Sequence, residues 1–324
     1  MTERFGTAAL RDELPARLGY TLPAVVAPMF LVSSAAMVEA ACKAGAVAAY
    51  PSLNARTSAG FNEVLDRLDR NLEGANGAGY AVNLVTHRSN PRFAEDLEIC
   101  AAHRVPLIIT ALGSPAPAVD AVHAYGGLVF ADVNSPRLAR KAAAAGADGL
   151  ILVCSGAGGH TGTMTPFAFV DEVRRFFDGP VIVAGGISSG AGIHGALALG
   201  ADLAYMGTRF LAARESDAVA GFKQMVAECS FDDILCTDAI TGALANKLRP
   251  SIVAAGIDPD SLQSGKAFDL SALEGSVNTW KDLWSAGHGL GAVTGSEPVG
   301  EIIATLKDEF AAATRRTRRW TAAA

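Results

Sequence analysis

The sequence predicts an α/β protein built as a (β/α)8 barrel with a C-terminal helical cap. Three observations predict it. Eight short apolar runs recur along the first two thirds of the chain, at 25–29, 47–51, 80–85, 106–112, 128–133, 149–154, 181–186 and 203–208. They are nearly continuous in apolar residues, as strands buried on both faces of a parallel sheet must be. The Ala-rich stretches between them end in one repeated phrase: KAGAVAAY at 43–50, AAGADGLILV at 144–153, ALGADLAYM at 198–206, and a weaker AYGGLVF at 124–130. In the three stronger copies a glycine just past a helix (Gly45, Gly146, Gly200) caps it in the left-handed conformation and turns the chain into the next strand. A doubly wound parallel sheet is the alternative architecture that the same alternation permits.

Length and composition fit this frame. The chain has 324 residues, with 27 basic and 33 acidic side chains and a net charge of −6. That balance argues against a general nucleic-acid binder, which needs a basic face. Half of the residues are hydrophobic, enough for a large core and incompatible with disorder. Five scattered cysteines form no C-x-x-C pair and read as reduced thiols of a cytoplasmic protein. The uncharged runs at 18–38 and 149–170 are broken by Pro, Ser or Gly, so neither reads as a membrane helix.

In a barrel of this kind the chemistry sits at the C-terminal ends of the strands. The first run ends in Ala27-Pro28-Met29, an apolar wall suited to a flat ring or simply barrel packing. The third carries Asn83, which needs partners if buried. The sixth leads into Cys154-Ser155-Gly-Ala-Gly158-Gly159-His160, a glycine-rich loop that brings backbone close to a ligand and offers one histidine to move or donate a proton. The seventh ends in Ala184-Gly185-Gly186 and the eighth in Met206-Gly207-Thr208, each expected to open a helix. Amides at a helix start bind anions, and the last two strands are the usual phosphate position of this fold. Neither turn is a P-loop or a dinucleotide fingerprint.

The barrel is assigned to residues 1–215. Residues 216–324 read as an accessory segment docked on it, with helices over 217–229 and 300–314 and a polar, glycine-rich middle at 257–295. Trp280 and Trp284 are expected to pack this cap. His288, in a loop within reach of the barrel mouth, is a candidate substrate contact, as is Ser155. His87, His103, His123 and His194 show no metal-ligand spacing, and no metal site is expected.

Read together, GAGGHTG at 156–162, AGGISSG at 184–190, LGADLAYMGTRFLAARES at 199–216, APMF at 27–30 and WKDLWSAGHGLGAV at 280–293 resemble the nitronate monooxygenase (2-nitropropane dioxygenase-like) family. The resemblance covers most of the chain. It implies an FMN-dependent TIM barrel in which Gly185, Gly186, Gly207 and Thr208 hold the phosphate. Pro28, Met29 and Asn83 would line the isoalloxazine, and His160 would be the active-site histidine. Asp132 stands about where some relatives carry a lysine, and would bond a flavin edge or a polar substrate group. The implied activity is oxidation of an alkyl nitronate or related carbanionic substrate with O2. The alternative is an FMN-dependent NAD(P)H:acceptor reductase or dehydrogenase acting on a quinone, enoyl or acyl-CoA substrate. A barrel lyase or isomerase that binds a phosphorylated metabolite without flavin is a third reading, which the phosphate turns alone permit. A homo-oligomer is compatible with the chain, and no surface feature decides it.

Overall fold

The structure, a computed structural model, describes residues 4–75, 77–264 and 282–321. Eight parallel strands close into a barrel in the order β1 (Ala24–Val26), β2 (Val47–Pro51), β3 (Tyr80–Val85), β4 (Leu107–Ala111), β5 (Leu128–Val133), β6 (Gly149–Val153), β8 (Val181–Ala184) and β9 (Leu203–Met206). Alternate residues divide between two cores. Val25, Val47, Ala81, Ile109, Phe130, Ile151, Ile182 and Leu203 fill the barrel interior. Val26, Ala48, Val82, Ile108, Val129, Leu150, Val183 and Ala204 pack outward under the helices. Both faces are therefore dry, which is why the runs are continuously apolar. Gly149 is fixed by this packing: a Cβ there would sit 2.5 Å from the ring of Phe130, its partner across the strand pair.

The helices follow as the repeat requires. α1 (Ala8–Leu18) precedes the first strand, and its Leu14 and Leu18 close the bottom of the barrel interior. The outer ring is α2 (Ala35–Lys43), α3 (Ser58–Leu72), α4 (Phe93–Ala102), α5 (Ala116–His123), α6 (Pro136–Ala144), α7 (Pro166–Arg174) and α8 (Gly190–Ala198). Ser34, Thr57, Ser135 and Ser189 cap α2, α3, α6 and α8 by accepting from an amide in the first turn. Gly45, Gly146 and Gly200 have φ of 89°, 92° and 105°, the positive range that the turn from helix to strand demands.

After β9 the chain forms a single 3₁₀ turn, Thr208–Phe210, where the sequence predicts a helix. The reason is burial: Leu211 and Ala212 enter a third core, and the Arg209 guanidinium pairs with Glu297 at 2.8 Å. The chain then makes a long excursion that includes α9 (Ala220–Glu228), β10 (Ile234–Thr237), β11 (Ala245–Leu248) and α10 (Arg249–Ala254). It returns as α11 (Val299–Thr321), which packs between α8 and α2, the place of the eighth barrel helix. Lys307 Nζ donates to the Ala44 carbonyl at 2.7 Å, and Glu309 accepts from the Gly190 amide at 2.7 Å.

The excursion is not purely helical. β10 and β11 pair antiparallel, and β11 also pairs with β7 (Gly159–His160), a short strand inside the glycine-rich loop. The sequence reading contains none of these three strands. Each is short, and the β7–β11 pairing joins residues about 85 positions apart, as in Ala245 with His160. Trp280 lies outside the described residues. Among the described residues no helix is long and apolar enough to cross a membrane.

Candidate active site

A cavity of about 850 Å³ opens at the C-terminal mouth of the barrel. It brings together Ala27, Pro28, Met29, Asn83, Asp132, Gly158, Gly159, His160, Ala184, Gly185, Gly186, Gly207 and Thr208, candidates spread along the chain from position 27 to position 208. Ser155 and His288 are not among its lining residues. His288 is exposed and sets its ring edge-on to Phe231 at 4.8 Å, while its amide donates to the Gly156 carbonyl.

The floor is the uppermost interior layer of the barrel. Asn83 Nδ2 donates to the Ile109 carbonyl at 3.1 Å, which leaves its amide oxygen for a ligand. Asp132 turns part of its surface to the cavity, but its Oδ1 has no solvent contact and no hydrogen-bond partner. Burial pushes its carboxyl up to about 7. The Tyr205 hydroxyl is also buried without a partner, and burial plus the nearby Asp132 charge raises it well above the usual phenol value.

One wall is Ala27-Pro28-Met29. Its turn is held by Asn54, which accepts from the Leu31 amide at 2.9 Å and donates to the carbonyls of Met29 and Ser33. Those bonds keep Leu31 at φ 60°, unusual for a branched side chain.

Next to this wall lies a glycine cradle, for a Cβ on Gly207 would sit 3.5 Å from Met29 Sδ. Gly185 and Gly186 have φ of 127° and 69°, and a Cβ on Gly185 would lie 2.7 Å from the Ser155 carbonyl oxygen. Ser188 adds a buried hydroxyl without a partner, and Gly289 crosses so close that a Cβ would strike it. Thr208 Oγ1 accepts from the Gly287 amide at 2.9 Å. The α8 terminus itself is engaged, since its Gly190 and Gly192 amides donate to Glu309 and Ser189. That leaves the backbone of the Gly185–Ser188 turn and of Gly207-Thr208, rather than a helix start, as the part of the cradle that could hold an anion.

His160 projects from β7 into the cavity. Burial first, and the neighbouring Lys247 charge second, lower its imidazole to about 4, so it is neutral at physiological pH. Lys247, on β11, is 2% exposed and donates to the Leu283 carbonyl at 3.0 Å. Burial brings its ammonium down to about 8. Leu283, Trp284 and Ser285 complete the cover, with Trp284 stacked on Phe222 at 5.0 Å. Sequence reasoning missed Lys247, Tyr205 and Ser188. Ser188 lies inside a motif already in view, whereas Lys247 has no local signal.

The cavity suits a flavin by its own chemistry. It offers a glycine cradle, an apolar wall and a floor with buried polar atoms awaiting partners. Among the described residues no cluster of three or more His, Cys, Asp or Glu is placed to hold a metal ion.

The family model described as nitronate monooxygenase matches residues 61–309. The chain belongs to the nitronate monooxygenase family. This is a family of flavin-dependent oxidoreductases. A nitronate monooxygenase of Paraburkholderia phytofirmans is 28% identical, over 99% of this chain and 100% of that protein. FabK from Thermotoga maritima superposes with a TM-score of 0.79 at 26% identity, covering 95% of this chain and 98% of that one. A nitroalkane oxidase from Streptomyces ansochromogenes gives a TM-score of 0.76 at 25% identity, covering 94% and 99%.

Proposed function

We propose that this member of the nitronate monooxygenase family binds FMN at the barrel mouth and oxidises an alkyl nitronate or a related carbanionic substrate with O2. The observation that carries this reading is His160, a buried imidazole kept neutral in the same cavity as the glycine cradle. The Gly185–Ser188 and Gly207-Thr208 amides hold the phosphate. Pro28 and Met29 support one side of the ring, and Asn83 and Asp132 bond its polar edges. His160 orients the nitronate oxygens through a ring nitrogen and, where the neutral nitroalkane enters instead, accepts the proton from its carbon. The Trp284 segment and the 156–159 loop keep bulk water from the reacting atoms. Bound FMN supplies electron acceptance and reactivity toward O2.

The experiment is an anaerobic absorbance titration of the purified protein. Bleaching of a flavin spectrum by a small alkyl nitronate, and not by NADH or NADPH, supports the proposal. Bleaching by nicotinamide alone moves the protein to the second reading, an NAD(P)H-dependent reductase of a quinone, enoyl or acyl-CoA substrate. That reading is favoured by the size of the cavity, about 850 Å³, whose lining also takes in Leu112, Pro115, Leu138 and Lys141. The free thiols, three of them buried, fit a cytoplasmic location.

A further inference from the structure

We propose that Lys247 is the anion anchor of this cavity, holding the negatively charged oxygens of the substrate beside His160. The placement follows from strand register. Ala245 lies opposite His160 across the β7–β11 pair, so the two share one face of that small sheet. The period of two along a strand puts Lys247 on the same face. Both side chains line the cavity. The alternate residue, Asn246, turns the other way and donates to the Ala157 carbonyl at 2.7 Å, which fixes β11 against the glycine-rich loop. The ammonium is held from behind by the Leu283 carbonyl.

Charge gives this position its meaning. Among the described residues two cations line the cavity, Lys141 and Lys247, together with the carboxylates Asp132 and Asp217. Lys141 stands on α6 and is exposed to solvent. Lys247 is the cation placed with the imidazole. The ammonium is buried in the cavity wall, where a small planar anion gains a charge-assisted hydrogen bond that bulk water does not weaken. A neutral imidazole beside a cation is a division of labour: the lysine binds the charge, and the histidine remains available for the proton. A lysine serving only to tie β11 to Leu283 would show no preference for anions.

The inference rests on the proposed function only for the identity of the anion, and the test separates the two. The probe is nitrite, added to the flavin-loaded protein so that the phosphate cradle is filled, with binding followed by calorimetry. In the unsubstituted protein nitrite binds at least about tenfold more tightly than neutral nitroethane, the scale of one hydrogen bond to a charged group. Equal affinities overturn the proposal without any variant. Lys247→Met weakens nitrite at least about tenfold, and Lys247→Arg recovers part of the loss. For an ionised nitronate, KM rises in the Met variant by more than kcat falls. Unchanged nitrite affinity in Lys247→Met, or a loss that Lys247→Arg does not reduce, refutes the anchor. If nitrite depends on Lys247 while no nitronate bleaches the flavin, the anchor stands and the nitronate reading falls.

Discussion

Asp132 gives the sharpest prediction about the barrel floor. Its carboxyl is near 3.8 in an unfolded chain and is pushed up to about 7 by burial in the fold. Between those values the unfolded chain has released its proton and the folded protein still holds it. Rising pH therefore favours the unfolded state across this window, and the effect levels off above about 7. The difference between 7 and 3.8 corresponds to a limiting cost of about 4 kcal/mol, of which about 2 kcal/mol is present at pH 5. Asp132→Asn keeps the shape and removes the titration. The flavin-free variant should gain on the unsubstituted protein as pH rises from 5 to 8, by between about 1 and about 2.5 kcal/mol once water in the open cavity screens part of the charge. Urea unfolding at four pH values across that range measures the difference. Parallel stability curves, or a gain that shrinks with pH, would refute the reasoning and show that the folded protein favours the ionised carboxylate.

His160 behaves with the opposite sign. Its imidazole falls from 6.5 to about 4 on folding, so its contribution is complete above 6.5 and is lost as pH drops toward 4. His160→Gln should gain about 2 kcal/mol on the unsubstituted protein between pH 7.5 and 5, read by the same unfolding experiment. His160→Ala should keep its flavin and lose roughly two to four powers of ten in turnover, and normal turnover would reduce the residue to a loop element. Gly185→Ala forces a left-handed backbone and a Cβ against the Ser155 carbonyl, so flavin affinity should fall sharply in an equilibrium dialysis assay. Gly195→Ala, on open helix surface in α8, should instead stabilise by about 0.5–1 kcal/mol with no change in flavin content.

The sequence by itself determined the barrel. Val25, Ile109 and Ile182 on one alternation and Val26, Ile108 and Val183 on the other are all apolar because interior and helix-facing cores are each dry, and Gly45, Gly146 and Gly200 record the same joint in the backbone. These signals lie within a few residues of one another, so reading along the chain finds them. The motifs at Gly185-Gly186 and His160 were equally local. Tertiary structure decided what crosses the chain. Only folding pairs Ala245 with His160 and thereby carries Lys247 to the imidazole. Only folding sets Gly289 against Ser188 and places α11 in the gap between α8 and α2. The charge state of the site belongs to that level too, because an aspartate near 7 and a lysine near 8 are set by burial among distant segments. Desolvation is a property of the enclosed space, and no run of neighbouring residues encodes it.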